Sequence, residues 1–199
     1  MTAVDLTLYI GIFVFALTGA LKARSHRMDI LGASVLAFAT AYGGGTLRDL
    51  LIGIRVGWIN DPIALWLVGG AVGVVFLLRQ NIDRFEKIFF ITDAIGLGMF
   101  TIGGIERSLA HGITESYALV LGVVSASFGG LIADLLSGRV PSLLQKGELY
   151  ATAAALGGLL FIFIRYLPLA PNIALAICVA AVIGIRVVSV SKKIELPHI

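Results

Sequence analysis

Charged residues are scarce in this chain of 199 residues. Asp, Glu, Lys and Arg make up 14% of it, against roughly a quarter in soluble proteins, while 58% is hydrophobic and the mean hydropathy is +0.99. This composition excludes an ordinary soluble domain. Apolar stretches recur over the whole length, and a bilayer core is about 30 Å thick. We therefore predict an all-α integral membrane protein, a single membrane domain over residues 1–199, with seven transmembrane helices: 5–21, 29–52, 63–79, 88–105, 115–137, 149–166 and 171–190.

The chemistry of an enzyme is also missing. Cys178 is the one cysteine, so no internal disulfide can form. The sequence has no Gly-rich phosphate loop ending in Lys-Ser/Thr, no His/Cys spacing for a metal and no Ser/His/Asp set in a soluble lobe. We predict no catalytic residues, no metal site and no cofactor, and the sequence does not favour an enzyme.

The basic residues are distributed unevenly between the predicted connections. The net charge is +3 and the pI is about 9.2, which would also suit a nucleic-acid partner. The excess of Lys and Arg on one side of a membrane instead sets the orientation of the helices. The sequence thus predicts a bilayer as partner and no nucleic acid, with the N-terminus outside and the C-terminus in the cytoplasm. The residues predicted inside are Lys22, Arg24, Arg27, Arg79, Arg84, Lys87, Arg139, Lys146, Lys192 and Lys193; those outside are Arg55, Arg107 and Arg165.

An internal repeat is the most informative feature that is present. When the chain is shifted by 85 positions, identical residues coincide without a gap, from Gly11 on Gly96 to Phe76 on Phe161. We predict repeat one over residues 5–79, repeat two over residues 90–164 and a seventh helix over residues 171–190. Because each repeat would hold three spans, the second copy would cross the membrane inverted. Inverted repeats place a transport path where the two halves meet.

Glycines interrupt the second and fifth predicted helices at equivalent places. The second predicted helix contains Gly43, Gly44 and Gly45, and the fifth contains Gly129 and Gly130. Glycine costs about 1 kcal/mol relative to alanine in a helix interior, so we expect both helices to unwind or bend there. Irregular backbone at that depth must be buried in protein or line water. The alternative is that the glycines only let neighbouring helices pack closely.

A carboxylate follows each glycine motif by four residues. Asp49 and Asp134 each lie about one turn beyond the last glycine, and an ionisable residue inside a span is typical of an ion path or a paired site. Arg48 precedes Asp49, but adjacent residues point about 100° apart on a helix, so we expect each to pair with another helix or to face water. Thr46 adds a hydroxyl. Ala133 stands where the first repeat has Arg48, so the two halves differ in charge. The alternative for both carboxylates is an anchoring role among the headgroups.

Two further ionisable residues lie in the predicted spans. Asp93 begins the fourth span, where it could line the inner vestibule or pair with a neighbouring Lys or Arg. Arg186 lies in the last span, and we expect its long side chain to reach the inner surface.

The motifs resemble those of a known family. Residues 43–51 (GGGTLRDLL) with Asp61-Pro62 resemble the first-repeat signature of prokaryotic trimeric intracellular cation (TRIC) channels. Residues 128–141 (FGGLIADLLSGRVP), followed by residues 148–151, resemble the second signature, and Asp93 begins a stretch that fits the fourth-helix pattern. The resemblance covers nearly the whole chain. Many relatives carry Arg at the position of Ala133, so a role of that arginine is not transferred.

The resemblance implies a homotrimer in the plasma membrane of a prokaryote, with a potassium-permeable pore in each protomer. K⁺ and, less selectively, Na⁺ would pass. The alternative is a secondary transporter of a small amino acid such as glycine, a label that bacterial members of this group also carry. The residues predicted to line the ion path are Gly43, Gly44, Gly45, Thr46, Arg48, Asp49, Asp93, Gly129, Gly130 and Asp134.

Overall fold

The computed structural model describes residues 3–77, 85–145 and 149–194, with side chains from residue 8 onwards and, after the first gap, from residue 87. Within these ranges the chain forms seven α-helices, two short 3₁₀ turns and no strand. The prediction of an all-α protein with seven helices is confirmed. The helices are α1 (Ala3–Ser25), α2 (Ile30–Ile52), α3 (Ala64–Leu77), α4 (Phe85–Ala110), α5 (Glu115–Leu136), α6 (Tyr150–Ile164) and α7 (Pro171–Lys192).

The lengths and composition of the helices fit a multi-pass membrane protein. Five of the described helices are long and apolar enough to cross a bilayer, and α3 and α6 are shorter apolar helices of 14 and 15 residues. Leu50, Leu51, Leu135 and Leu136 are all more than half exposed, as expected for side chains that face lipid or another protomer.

Local sequence signals fix several helix ends. Asp29 caps α2, because its Oδ1 accepts a hydrogen bond from the backbone N–H of Gly32 at 2.7 Å. Pro171 begins α7, where its missing N–H costs nothing. Thr114 precedes α5 but makes no side-chain capping bond.

Equivalent helices of the two repeats pack against each other in antiparallel pairs. In the α1–α4 contact, Phe15 stacks on Phe100 with ring centroids 4.8 Å apart, and Thr18 donates a hydrogen bond to Thr92. Residue numbers therefore rise along α1 as they fall along α4, so the two helices are antiparallel. In the α2–α5 contact, Gly44 lies against Ser125 and Gly129 against Thr40, which gives the same antiparallel sense. The two three-helix repeats are therefore inverted relative to each other.

The backbone repeats its special conformations at the same offset of 85. Positive φ angles pair Arg27 (55°) with Gly112 (78°), at the α1–α2 and α4–α5 turns, and Gly53 (78°) with Gly138 (69°), after α2 and α5. A left-handed residue ends a helix at lowest cost when it is glycine, which three of these four positions use.

The boundaries of the repeats at 5–79 and 90–164 stay a prediction. Outside the described ranges lie Arg79, Arg84, Lys146 and residues 78–79 of repeat one.

The prediction that α2 and α5 unwind at their glycines is wrong. Both helices continue without interruption through Gly43–Gly45 and Gly129–Gly130. An ideal Cβ on Gly44 would lie 2.2 Å from the carbonyl oxygen of Ser125, and one on Gly129 would lie 2.2 Å from that of Thr40. The close approach of the two backbones therefore accounts for Gly44 and Gly129, because small residues let membrane helices pack closely. We call this contact the glycine crossing.

Candidate functional site

Asp49 lies near the end of α2, 1% exposed, and holds two guanidinium groups. Arg48 donates to Asp49 Oδ1 from Nε at 3.0 Å and from Nη2 at 2.7 Å. The expectation that these neighbours do not pair is wrong. It considered only the directions in which side chains leave the helix, whereas the long arginine stem curls round to the adjacent carboxylate.

The second guanidinium comes from α4. Arg107 Nε donates to Asp49 Oδ1 at 3.0 Å and Arg107 Nη2 to Asp49 Oδ2 at 3.3 Å. The backbone N–H of Gly57 donates to Oδ2 at 3.0 Å, so the segment after α2 folds back over the carboxylate. A buried carboxylate needs such donors, because an uncompensated charge is costly away from water.

Asp134 has a matching environment at the other end of the molecule. It is 3% exposed, and its Oδ1 lies 2.7 Å from the Lys22 ammonium of α1. The backbone N–H of Ser142 donates to its Oδ2 at 3.0 Å. Because α2 and α5 run antiparallel and each carboxylate is near its helix end, Asp49 and Asp134 lie at opposite ends of the bundle. Asp134 is thus a buried, paired group and not a headgroup anchor.

The two carboxylates are bound by equivalent residues, a cation from the opposite repeat and a backbone N–H from their own repeat. Lys22 and Arg107 are 85 positions apart, as are Gly57 and Ser142. In each case a cation from the first helix of one repeat holds a carboxylate from the second helix of the other. We call Asp49 with Arg107, and Asp134 with Lys22, the inter-repeat ion pairs. Each joins the two halves of the molecule at one end.

Arg48 makes the two ends unequal. Its Nη1 donates to Ser125 Oγ at 2.9 Å, which ties the Asp49 end of α2 to the middle of α5. The equivalent residue, Ala133, is buried and carries no charge. Thr46 lies on the same end of α2 and accepts a hydrogen bond from Trp58 Nε1 at 2.9 Å.

A cavity of about 460 Å³ opens at the Asp49 end between α1, α2 and α4. We call it the Asp49 vestibule. Its charged lining consists of the carboxylates of Asp49, Asp61 and Glu106 and the guanidiniums of Arg48 and Arg107, a formal charge of −1. Asp61 and Glu106 form no ion pair with any described residue. The remaining lining is mainly apolar, with aromatic side chains from Tyr42, Trp58 and Phe100.

Asp93 belongs to a separate buried cluster. It pairs with Arg186 of α7, and Tyr150 Oη donates to Asp93 Oδ1 at 3.1 Å. The guanidinium carbon of Arg186 lies 4.5 Å from the ring centroid of Tyr150 and 5.0 Å from that of Phe90. Arg186 is 2% exposed, so the expectation that it reaches the surface is wrong. The pairing alternative for Asp93 is the one that the structure shows.

The residues predicted from the sequence fall into three places. Around the Asp49 vestibule lie Gly45, Thr46, Arg48 and Asp49, and at the glycine crossing lie Gly43, Gly44 and Gly129. The Asp134 end holds Asp134, Gly130 and Asp93. Gly130 packs against the Asp93 cluster, because a Cβ on it would lie 3.2 Å from the Tyr150 hydroxyl that donates to Asp93.

Comparisons with known proteins agree on one family. A family model described as "Glycine transporter" matches residues 6–80 and again residues 90–166. The crystal structure of the TRIC trimeric intracellular cation channel orthologue from Rhodobacter sphaeroides superposes with a TM-score of 0.88 at 34% identity, covering 98% of this chain and 100% of that one. The chain belongs to this family, that of the prokaryotic TRIC channels.

Bacterial membrane proteins of the same family match over most of their length. The UPF0126 membrane protein YvgT of Bacillus subtilis is 40% identical over 164 residues, 78% of each chain. A UPF0126 membrane protein of Vibrio cholerae is 34% identical over 189 residues, 94% of this chain and 79% of its own.

Sequence reasoning missed the cations that hold the family motif's carboxylates. Lys22 and Arg107 were interpreted only as loop charges that set orientation. The signal that could have found them is the repeat itself, since both fall at the same offset as Asp49 and Asp134. The side chains of Ser125 and Tyr150 carry no such signal. At the equivalent positions, the Thr40 hydroxyl donates within its own helix and Leu65 is exposed.

Proposed function

We propose that this protein is a monovalent cation channel, permeable to potassium, with a pore in each protomer of a homotrimer. The observation that carries the proposal is the Asp49 vestibule, a cavity open at one end of the bundle, net negative and ending on a buried carboxylate inside two inverted repeats. Relatives solved as TRIC cation channels support it. The proposed ion path is lined by the residues predicted from the sequence, from Asp49 past the glycine crossing to Asp134.

The electrostatics of the vestibule favour cations. A cleft lined by charge of one sign within low-dielectric walls raises the local concentration of the opposite ion. Asp61 and Glu106 supply the unpaired negative charge, while the carboxylate of Asp49 is neutralised by the guanidiniums beside it. Anions would meet a net negative entrance and are disfavoured.

The described conformation corresponds, on this proposal, to a closed channel. The backbones of α2 and α5 touch at Gly44 and Gly129, and Arg48 bridges the two helices through Ser125. Conduction would require the helices to separate at this point. The glycines that permit the contact also lower the cost of bending there, because glycine is the weakest helix former after proline.

Exposed surfaces and charge support the proposed assembly and orientation. The exposed leucines near the ends of α2 and α5 form apolar faces suited to lipid or a neighbouring protomer. The basic residues near the Asp134 end, including Lys22 and Arg24, favour that end as the cytoplasmic one. The protein would then lie in the prokaryotic plasma membrane with its N-terminus outside.

The second candidate function is secondary transport of a small amino acid such as glycine. The description of the matching family model favours it, as does a vestibule that contains both guanidiniums and carboxylates. A coupled transporter binds its substrate and saturates, whereas an open channel does not.

Reconstituted liposomes discriminate between the two functions. We expect rapid K⁺ efflux driven by voltage alone and not saturating with concentration, together with no accumulation of labelled glycine. Saturable glycine uptake that depends on a counter-ion gradient, without electrical K⁺ flux, would instead establish the transporter.

A further inference from the structure

Two aromatic rings form one part of the lining of the Asp49 vestibule. Tyr42 and Trp58 meet there with ring centroids 6.2 Å apart and planes inclined by 52°. Phe38 packs behind both, 5.3 Å from the ring of Tyr42 and 4.9 Å from that of Trp58. Trp58 is further fixed by its hydrogen bond to Thr46. The two rings are thus held in place before any ligand arrives.

A carboxylate accompanies the rings. Asp61 lines the same vestibule as Tyr42 and Trp58. Its Oδ1 accepts a hydrogen bond from the backbone N–H of Ile63 at 2.9 Å, which orients the group, and it forms no ion pair with a described residue. Tyr42, Trp58 and Asp61 together are called the aromatic corner.

The Tyr42 hydroxyl has an unmet hydrogen-bonding capacity. Tyr42 is 6% exposed, and among the described residues its buried Oη has no hydrogen-bond partner. A buried hydroxyl without a partner is costly, and native structures usually supply one from a ligand or water. A small shift of the Tyr42 side chain that brings Oη to the vestibule surface would let a donor at this corner satisfy it.

We propose that the Asp49 vestibule is a binding site for a small primary ammonium ion with an apolar tail, held at the aromatic corner. The ammonium would donate to Tyr42 Oη and to the Asp61 carboxylate. Its charge would lie near the faces of two aromatic rings, which attract cations within about 6 Å of the ring centroid.

The rest of the vestibule suits the apolar tail of the ligand and disfavours a negatively charged ligand. Its apolar lining from α1 and α4 includes Ile12, Met99 and Phe100, and its volume of about 460 Å³ lies within the range typical of small-molecule sites. A carboxylate ligand is disfavoured because the lining of the vestibule carries a formal charge of −1. An occupied vestibule would also obstruct cation entry; that consequence rests on the proposed function, whereas binding itself does not.

The two tryptophans of the chain allow a direct test. Trp58 lies in the aromatic corner, whereas Trp66 lies on α3 and is 80% exposed. In Trp66→Phe protein, Trp58 is the single tryptophan, and it can be excited at a wavelength that the tyrosines do not absorb. We expect n-butylammonium to change its emission saturably, with the heat of binding recorded in parallel to detect a response that fluorescence does not report. The alcohol 1-butanol, which has the same tail and no charge, should have no saturable effect.

Three variants locate the site. We expect Asp61→Asn to raise the dissociation constant of n-butylammonium about tenfold, since a charge-assisted hydrogen bond is lost, and Tyr42→Phe to raise it about threefold. Tyr166→Phe is the matched control, because its hydroxyl donates to Glu115 outside the vestibule; it should leave binding unchanged. Thermal melting of each variant checks that it is folded.

The outcomes separate this inference from the channel proposal. Saturable ammonium binding in a protein that conducts no ions would sustain the inference and remove the channel. The inference is overturned by absence of both fluorescence and heat signals, by equal binding of 1-butanol, by unchanged affinity in Asp61→Asn and Tyr42→Phe, or by glycine displacing n-butylammonium at lower concentration.

Discussion

Asp49 is the residue on which most polar contacts of the vestibule converge. Its two oxygens accept from Arg48, Arg107 and the backbone of Gly57. Removing its charge leaves two guanidiniums without a counter-ion, one of them buried, and breaking a buried pair costs roughly 3–5 kcal/mol. It also raises the formal charge of the vestibule lining from −1 to 0.

We therefore expect Asp49→Asn to lower both the melting temperature and the cation selectivity, measured as a reversal potential in asymmetric KCl that moves towards zero. Asp29→Asn is the matched control, because it removes a carboxylate from an exposed cap that asparagine can still provide. Equal selectivity in both variants would show that Asp49 does not shape the field of the pore entrance.

The Lys22–Asp134 pair offers a test of the inter-repeat ion pairs. Both side chains are 5% exposed and their charged atoms lie 2.7 Å apart. We expect Lys22→Gln and Asp134→Asn each to destabilise the protein. The double variant should lose less than the sum, with a coupling of about 0.5–3 kcal/mol. Thermal unfolding in one detergent measures all four proteins, and additive losses would contradict a direct interaction.

At the scale of helices, the glycine crossing determines how closely α2 and α5 approach. A Cβ at Gly44 would lie 2.2 Å from the Ser125 carbonyl oxygen, which is backbone and cannot move aside alone. We expect Gly44→Ala to lower the melting temperature and to alter the open probability in single-channel records, because the helices must move apart.

Gly69→Ala is the control for that substitution. A Cβ at Gly69 of α3 would have no neighbour within 4 Å, so alanine should be neutral or stabilising by up to about 1 kcal/mol. If Gly44→Ala behaves like Gly69→Ala, the close approach of α2 and α5 is not a constraint on the fold.

The helices themselves could be predicted from the sequence, but what they do at the glycines could not. Apolar length and the Asp29 cap placed α2 within one or two residues. Helix propensity then favoured unwinding at Gly43–Gly45, yet propensity is a local quantity. The decisive contact is with Ser125 on another helix, and no local signal records it. Arg186 was misinterpreted for the same reason, since its partner Asp93 lies on α4.

At the scale of the whole molecule, the internal repeat predicts both the inverted topology and the inter-repeat ion pairs. The offset of 85 predicted two inverted triplets, and it also equates Lys22 with Arg107 and Gly57 with Ser142. Searching for cations at matching offsets would have found both inter-repeat ion pairs. The asymmetric features could not be found in this way, because Arg48 and the cluster of Asp93 with Arg186 have no counterpart in the other half.

The proposed assembly makes a separate prediction. Native mass spectrometry of the detergent-solubilised protein should show three protomers, as the similarity to the TRIC trimeric intracellular cation channel orthologue implies. A single protomer that still conducts ions would leave the pore proposal intact and remove the trimer.

Planar-bilayer recording of the purified protein in asymmetric KCl tests the central claim most directly. The account predicts unitary currents that reverse near the potassium equilibrium potential and continue to rise with KCl concentration. A bilayer that contains correctly folded protein and shows no unitary current over a wide voltage range, or currents that reverse at the chloride potential, would contradict it.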